Sequence, residues 1–221
     1  MSPGPAAGAG AGSLSQLLSR PLMQQRRRGR RYLRAFKYGA GIFLAYIMLR
    51  LRVFDIKEET HLQSPFDSEI VWEFLADFNN MKHLNPTIIN FEIISDKGLY
   101  DNWEYSVKYT EFLHNAPFIK NTITADFHVR KTVDGHRYIT STHTTCFFFT
   151  LYCVRAWGRF DIIDSKITPS SVKVRESVSY ECPLAFFWFC KNEAAFQRRQ
   201  IKENLVEHFD GIRNLKTSAE S

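Results

Sequence analysis

Residues 103–129 read WEYSVKYTEFLHNAPFIKNTITADFHV, and this stretch decides the fold. Apolar and polar side chains alternate on both sides of a turn at residues 115–117, as they do in two antiparallel strands that each bury one face. A short proline-containing turn between two such runs is typical of a hairpin. The stretch therefore predicts two long strands of an antiparallel sheet.

The same alternation continues along the chain beyond this hairpin. Residues 154–162 and 172–180 carry apolar side chains at every second position, and turn-forming residues stand at 96–98, 134–135 and 168–170. No helical pattern interrupts the run, which argues against the crossover helices that a parallel sheet needs. We therefore predict a meander of about six antiparallel strands.

Further elements flank the meander. Before it, a strand near Ile56–Gln63 precedes a helix for which Ser64 and Asp67 resemble a capping box, and a short second helix follows around Asn79–Leu84. After Pro183 the spacing of apolar residues predicts a long helix that lies along the sheet. Its apolar stripe consists of Ala194, Ile201, Leu205, Phe209, Ile212 and Leu215.

This order of elements predicts an α+β fold in which a curved antiparallel sheet of about seven strands wraps around a long C-terminal helix. Such a sheet cannot bury its concave face by itself, so the helix must cover that face. We assign Arg198 to a side of the helix away from its apolar stripe. The space between sheet and helix is the predicted binding cavity. Its apolar walls are assigned to Trp103, Tyr105, Phe127, Phe160, Tyr180, Ile201 and Leu205.

The segment SPFDSEIVWEFLAD at residues 64–77, followed by Pro86, a meander and a closing helix, resembles the START-like or polyketide-cyclase superfamily with its helix-grip fold. The resemblance covers about residues 55–215 and rests on the order of elements and on the Pro, Trp, Leu and Asp pattern of the first helix. It implies a hollow domain that binds a lipid or another greasy molecule, usually without chemistry. No cofactor is expected.

Polar residues on apolar strand faces are the candidates for orienting a ligand. Asn121 and Glu176 both interrupt apolar positions. A buried carboxylate needs a cationic partner or takes a raised pKa, whereas an edge or bulge position would turn Glu176 to solvent. In the strand between them either His143 or Tyr138 points inward, so both are candidates. The spacing of the histidines fits no metal site.

Aromatic residues are expected to gather at one end of the sheet. Successive connections of a meander alternate between the two ends of the sheet, and the apolar connections around 113–118 and 147–152 share an end with 184–189. We interpret this rim as a ligand portal or a membrane-docking tip; alternatively, it only plugs the wide end of the domain. Its members are Phe147, Phe148, Phe149, Phe186, Phe187 and Trp188.

The same alternation gives a prediction about where the chain enters the domain. The first strand, antiparallel to its neighbours, is predicted to start at the polar end of the sheet, so the N-terminal segment attaches there. The rim would then face away from the membrane that holds this segment.

The charge of the chain is unevenly distributed. Residues 1–54 contain ten Lys and Arg and no Asp or Glu, whereas residues 55–221 contain nineteen Lys and Arg and twenty-three Asp and Glu. A duplex-binding domain carries its basic patch on folded elements. We therefore expect no nucleic-acid partner.

We divide the chain into a disordered basic tail (1–32), a short transmembrane or membrane-associated segment (33–54), the domain (55–215) and a disordered tail (216–221). The uncharged run in the second part is shorter than the roughly 20 residues of an ordinary span. A short anchor, a mitochondrial targeting region and a basic stretch on anionic lipid all stay open. The proposed anchor residues are Tyr38, Ile42, Phe43, Leu44, Ile47 and Leu49.

The leading functional hypothesis is membrane-associated binding of a lipid or other hydrophobic small molecule in the internal cavity, for shielding, presentation or transfer. We expect a monomer, in a mitochondrial or endomembrane location, with the rim as the surface for any protein partner. One alternative is a cyclase- or hydrolase-type enzyme with Glu176, His143 or Tyr138 as acid or base. The other is a non-catalytic assembly factor resembling coenzyme-Q-binding proteins. The sequence leaves open whether the four cysteines form disulfides.

Overall fold

The structure is a computed structural model that describes residues 14–63, 66–147, 152–164 and 171–219. The chain divides into two compact units, Met1–Leu49 and Arg50–Ser221. The described part of the first unit is a single helix, whereas the second unit contains the sheet.

The first unit contains helix α1 (Leu14–Leu49). It covers the second half of the predicted disordered tail, and its run of Arg, Gln, Leu and Met residues consists of good helix formers. Most of the proposed anchor side chains are exposed, and Ile47 is half-buried. In the described part of the chain, no helix contains a window that is long and apolar enough to cross a bilayer.

The second unit is built on one sheet of seven antiparallel strands in the spatial order β1-β7-β6-β5-β4-β3-β2. The sheet and the long C-terminal helix confirm the predicted curved meander and its closing helix. The strands are β1 (Leu51–Gln63), β2 (Ile88–Leu99), β3 (Asn102–Leu113), β4 (Ala116–Lys131), β5 (Arg137–Phe147), β6 (Tyr152–Asp164) and β7 (Ser171–Pro183).

Helices cover one face of this sheet. They are α2 (Ser68–Ala76), α3 (Phe78–Leu84), a short 3-10 turn (Leu184–Phe186) and α4 (Phe187–Ala219). The Asp67 carboxylate caps α2 by accepting a hydrogen bond from the Ile70 amide at 2.9 Å. The other proposed capping residue, Ser64, lies outside the described residues, and so does the proposed turn at 168–170.

The start of β1 corrects the prediction about where the chain enters the domain. Leu51 pairs with Pro183, and Gln63 pairs with Ser171. Strand β1 is antiparallel to the last strand of the meander, so it begins where β7 ends. This is the end of the sheet at which β3, β5 and β7 finish, which we call the aromatic end. The chain enters the domain there, and residues 51–54 belong to the sheet.

The apolar core lies toward the opposite end of the sheet. It joins the last buried residue of β1, Leu62, with the first residues of β7 and with the inner sides of α2, α3 and α4. The apolar stripe of α4 is buried from Ala194 to Phe209, whereas the side chain of Leu215 is exposed. Alternation at period two decides which strand residues enter this core. Its largest fully buried side chains include Trp72, Leu75, Leu84, Ile139, Ile162, Ile201 and Leu205.

Candidate functional site: a buried polar cluster beneath the last helix

A group of polar side chains lies between the sheet and the first half of α4, on the aromatic side of the apolar core. These side chains come from inward-facing positions of β3, β5 and β7 and from one side of α4. We call this group the polar cluster, and its members are Tyr109, Glu111, Ser141, His143, Glu176, Tyr180, Gln197 and Arg198. Buried polar groups cost folding free energy unless they are paired, so their partners identify what the cluster can do.

An ion pair links the sheet to α4 at the centre of the cluster. The Arg198 guanidinium donates to the Glu176 carboxylate, and both side chains are largely removed from solvent. Burial raises the pKa of the Glu176 carboxyl, and the charge of Arg198 works against that rise. Burial alone would lower the pKa of Arg198, but the carboxylate raises it. The guanidinium therefore stays charged.

A chain of hydrogen bonds runs beside this ion pair. Tyr109 Oη lies 3.1 Å from His143 Nδ1, and His143 Nε2 lies 2.9 Å from Ser141 Oγ. Burial and then the charge of Arg198 lower the pKa of His143 to about 4, so its imidazole is neutral at physiological pH. Burial also raises the pKa of Tyr109 well above its ordinary value. This part of the cluster consists of neutral groups that can accept and donate hydrogen bonds.

Glu111 is the second buried carboxyl of the cluster. Its Oε2 accepts a hydrogen bond from Gln197 Nε2 at 3.4 Å, and the residue is only 6% exposed. Burial raises the pKa of Glu111 to about 7, while Gln197 and Arg198 oppose the rise. A carboxyl with such a pKa changes charge near neutral pH.

Two donors of the cluster have no hydrogen-bond partner among the residues that the structure describes. Tyr180 Oη and Arg198 Nε are both buried and unpaired. The Arg198 charge acts on the pKa of Tyr180, which burial raises to about 12, so the two groups share one environment. Buried polar atoms without partners are uncommon in native proteins and call for an explanation.

A carboxylate of α4 ties the turn between β3 and β4 to the helix. Glu193 accepts hydrogen bonds from the His114 amide at 2.7 Å, from the Asn115 amide at 3.1 Å and from Asn115 Nδ2 at 3.0 Å. The His114 ring stacks on Phe196 of the same helix with 3.5 Å between ring centroids. We call these contacts the Glu193 clasp, and they close the aromatic end of the interior on one side.

Exposed apolar side chains surround this end of the domain. Trp188 is 73% exposed and Phe186 is 55% exposed, and Phe118, Phe147 and Leu184 are also exposed. The other rim candidates differ. Phe187 is half-buried and packs edge-on against Phe54, whereas Phe148 and Phe149 lie outside the described residues.

Two disulfides lie at the same end. Cys146–Cys153 joins β5 to β6 beside their connection, and Cys182–Cys190 joins the end of β7 to the first turns of α4. The sequence left this pairing open. Because the apolar core lies toward the opposite end, these covalent links hold the part of the domain that has the fewest buried apolar contacts.

The structure corrects one polar candidate. Tyr138 lies on the convex face of the sheet, where the Arg159 guanidinium stands 4.5 Å from its ring centroid. Ile139 is the residue that points inward, and inward-facing His143 lies on the same face. Asn121 also faces inward, and its amide donates to Thr145 Oγ1 at 3.3 Å. The Asn121 amide nitrogen therefore already donates a hydrogen bond within the protein.

The apolar candidates divide between the core and the polar cluster. Half-buried Trp103 packs against the core, and Tyr180 lies in the polar cluster instead. The remaining five are packed together in the apolar core, and they are Tyr105, Phe127, Phe160, Ile201 and Leu205.

Sequence reasoning missed three polar members of the cluster. Glu111 continues the inward alternation of Tyr105 and Tyr109, so the period of two was sufficient to find it. Arg198 lies four residues after Ala194 and three before Ile201, so its assignment away from the buried stripe was wrong. Gln197 shares that stripe. The spacing of i, i+3 and i+4 places Gln197 and Arg198 on the same helix face as Ala194 and Ile201.

Two other observations limit the kinds of site present. Along the flank of α4 beside β1 lies an open groove of about 710 Å³ with a mixed lining that includes Ile56, Glu58, Arg199 and Lys202. It lies on a different side of the helix from the polar cluster. Among the residues that the structure describes, no group of His, Cys, Asp and Glu side chains could hold a metal ion.

Solved structures share this architecture. The Zhui aromatase/cyclase from a Streptomyces species matches with a TM-score of 0.54 and 11% identity, over 72% of this chain and 94% of that chain. A conserved protein from Geobacillus kaustophilus matches with a TM-score of 0.51 and 12% identity, over 72% and 96%. A START superfamily protein from Mycobacterium smegmatis gives 0.48 and 12%, over 72% and 98%.

The two matches with TM-scores above 0.5 show that the second unit shares its helix-grip fold with the Zhui aromatase/cyclase and the Geobacillus kaustophilus protein. At these identities they establish the fold alone. No protein-family model matches the sequence, and no curated protein matches it either.

Proposed function

We propose that this protein binds a lipid or another hydrophobic small molecule beneath α4 and exchanges it at an anionic membrane surface. The observation that carries the proposal is the position of the exposed apolar side chains. One group of them, Phe118, Phe147, Leu184, Phe186 and Trp188, lies at the aromatic end, where the polar cluster lies and where the chain enters the domain, whereas Leu99, Tyr100 and Val133 are exposed at the opposite end. An exposed apolar patch of this kind usually marks an interaction site.

The charges around the patch support a lipid surface as its partner. Arg50, Arg52, Lys120, Arg155 and Lys191 are exposed at the aromatic end. The acidic side chains near them are engaged within the protein, since Glu193 forms the clasp and Glu181 accepts from the Arg155 amide at 2.9 Å. Basic residues around apolar ones are attracted to anionic headgroups while the apolar side chains insert.

The N-terminal unit supports the same partner. Its described helix exposes a series of aromatic and aliphatic side chains, including Phe36, Tyr38, Phe43 and Tyr46. Residues 1–54 are basic and contain no acidic residue. In the chain this unit precedes β1, whose first residue lies at the aromatic end. The two disulfides support an oxidising compartment as its location.

The mechanism we propose is burial of the ligand beneath α4. Each methylene group removed from water contributes about 0.8 kcal/mol, so one acyl chain is enough to drive uptake. The Glu193 clasp forms the movable side of the opening, because it joins the turn between β3 and β4 to α4 through polar contacts, whereas the Cys182–Cys190 disulfide holds the start of α4 to β7. Membrane contact at the aromatic end would bring this opening to the lipid.

Vesicle co-sedimentation tests the membrane contact. We expect the double variant Phe186→Asp, Trp188→Asp to lose at least about tenfold in affinity for vesicles containing phosphatidylserine, since it removes two inserting rings and adds two repelled charges. The matched control is Leu99→Asp, Val133→Asp, which changes two exposed apolar residues at the opposite end. Circular dichroism checks that all proteins are folded. Equal losses in both variants, or no loss in the first, would contradict the proposed orientation.

Native mass spectrometry tests the ligand. The full chain is incubated with vesicles of mixed lipids, separated from them and sprayed without denaturation. We expect one hydrophobic molecule to stay bound to each folded chain. A folded chain that repeatedly emerges empty, from both anionic and neutral vesicles, would contradict binding.

A further inference from the structure

We propose that the ligand is a neutral hydrophobic molecule that carries a carbonyl or hydroxyl oxygen, and that this oxygen accepts hydrogen bonds from Tyr180 Oη and Arg198 Nε. The inference rests on the proposed function, because it names the chemical class of the molecule that the interior would bind. Four features of the polar cluster carry it.

The first feature is that both donor atoms are buried and have no hydrogen-bond partner among the described residues. Arg198 Nη1 is held by the Glu176 carboxylate, which fixes the guanidinium plane and leaves Nε buried without a partner. Tyr180 Oη is also buried without a partner. An arginine offers five donors in a rigid fork, so one occupied side orients the others.

The second feature is the position of these donors on the route from the rim. Tyr180 lies on the same face of β7 as Glu176 and four residues closer to the aromatic end. Cys182, whose disulfide fixes the start of α4, follows it on that face. Arg198 projects from α4 to Glu176 on the same strand face. A molecule that enters between the rim residues therefore meets Tyr180 before it reaches the ion pair.

The third feature is the small size of the inward-facing residues on the neighbouring strands. Ala156 pairs with Tyr180, and Gly158 pairs with Val178. A methyl group added at Gly158 would lie 2.5 Å from Ser141 Oγ, so the Ser141 side chain already fills the space over this glycine, and the small side chain left beside Tyr180 is Ala156. The apolar side chain of Val154 continues the same face toward the rim. This surface suits the apolar body of a ligand.

The fourth feature is the charge of the surroundings, which decides between a neutral and an anionic ligand. In the described interior around Tyr180, Arg198 is the cation, and it is already paired with Glu176. Glu111 is a second buried carboxyl close by. An anionic headgroup would add another buried negative charge without a free cation to balance it. A neutral oxygen would satisfy both donors at no such cost.

Three probes with unbranched carbon chains of the same length test this inference on the full-length protein. They are methyl palmitate, hexadecane and palmitic acid, delivered from cyclodextrin and measured by competition in native mass spectrometry. We expect the neutral ester to bind about tenfold more tightly than the alkane, the effect of one to two hydrogen bonds. We also expect the ester to bind more tightly than the acid at pH 7.

Two variants remove the donors while keeping the surrounding shape and charge. Tyr180→Phe removes the hydroxyl, and Arg198→Lys keeps the partner charge for Glu176 but removes Nε. Each should lower the ester-to-alkane ratio by about threefold or more. The matched controls are Tyr138→Phe and Arg159→Lys, a tyrosine and an arginine that contact each other on the convex face. These controls should leave the ratio unchanged.

The possible outcomes separate this inference from the proposed function. Equal binding of ester and alkane, or a ratio that Tyr180→Phe leaves unchanged, would overturn the inference while hydrophobe binding stands. Tighter binding of the acid would overturn the neutral class. Absence of binding by all three probes to the folded wild-type chain would overturn both. If Arg198→Lys does not fold, Tyr180→Phe alone decides the question.

Discussion

Glu176 is a carboxylate on an otherwise apolar strand face, and Arg198 of α4 is its partner. Pairing explains how both charges are tolerated beneath the helix, because the cost of removing each from water is offset by the other. Removing one partner would leave the other charged and buried. The effect of the pair on the stability of the domain is therefore best measured by removing one partner, because this leaves an unpaired buried charge.

We predict that Glu176→Ala lowers the free energy of unfolding by about 3–5 kcal/mol, measured by urea denaturation at pH 7. The control is Glu59→Ala, which removes an exposed carboxylate that pairs with Lys173 and Arg175. This loss should be much smaller than that of Glu176→Ala, because exposed ion pairs contribute little. Similar losses in the two variants would argue that Glu176 and Arg198 are exposed to solvent.

Glu111 predicts a dependence of stability on pH. Its pKa is raised from 4.5 to about 7 by burial, so the folded state retains a proton that the unfolded state has released. Stability from this group is present below pH 4.5 and is lost as the pH rises toward 7. Glu111→Gln removes this loss. Its stability relative to the wild type should therefore increase by on the order of 3 kcal/mol between pH 4.5 and pH 8.

Urea denaturation at several pH values measures this difference. Both proteins retain His143, whose lowered pKa gives the opposite dependence, so its contribution cancels in the comparison. Glu203→Gln, which changes an exposed carboxylate of α4, serves as the control. A stability difference between Glu111→Gln and wild type that does not change with pH would show that Glu111 titrates normally.

At the scale of the elements, α4 is held to the sheet by different forces along its length. Ile201, Leu205 and Phe209 pack into the apolar core, whereas the first half of the helix is held by the Glu193 clasp, the ion pair and the Cys182–Cys190 disulfide. The apolar side chains of the second half of α4 pack against many core residues at once, so this half cannot leave the sheet by breaking a single contact. Hydrogen bonds break one at a time, so the contact between Glu193 and the turn between β3 and β4 is the part suited to opening, while the disulfide holds the start of α4 to β7.

We predict that Glu193→Ala frees the turn between β3 and β4. The amides of His114 and Asn115 lose their acceptor, so hydrogen exchange in this turn should become at least about tenfold faster. Exchange measured by mass spectrometry checks this, with Glu203→Ala on the exposed side of α4 as the control. Uniform acceleration across all strands would instead indicate global destabilisation by the substitution.

At the scale of the whole molecule, the domain has two unlike ends. The apolar core and the helices α2 and α3 occupy one end, whereas the polar cluster, both disulfides and the exposed rings occupy the other. Strand β1, the first element of the domain, begins at the second end. One end therefore provides stability, and the other provides the surfaces that the proposed function uses.

We predict that residues 50–221 fold without the N-terminal unit, because each unit makes its contacts mainly within itself. The shortened chain should unfold at the same temperature as the full chain and bind the same ester probe. Its binding to phosphatidylserine vesicles should be weaker and less sensitive to salt, since the removed residues 1–49 contain eight of the ten basic residues that precede Asp55. A large decrease in the unfolding temperature would show that the N-terminal unit supports the fold.

The alternation of side chains along the strands made much of the domain predictable. Period two depends on the geometry of an extended backbone, so the inward faces of β3, β4, β6 and β7 followed from the residues, including Glu176. The resemblance of residues 64–77 and the order of elements gave the fold, which the structures of distant proteins show. The apolar spacing of α4 similarly marked its buried stripe.

What the sequence by itself determined were the properties that act between close neighbours: strand and helix, inward and outward. The tertiary structure alone decided the pairings between distant residues. Strand β1 pairs with the last strand, which reversed the end at which the chain enters, and Arg198 pairs with Glu176 instead of facing solvent. The physical reason is that local geometry has a period that can be read along the chain. Contacts between distant segments depend on which alternatives bury more apolar surface and satisfy more polar groups once the whole chain has folded.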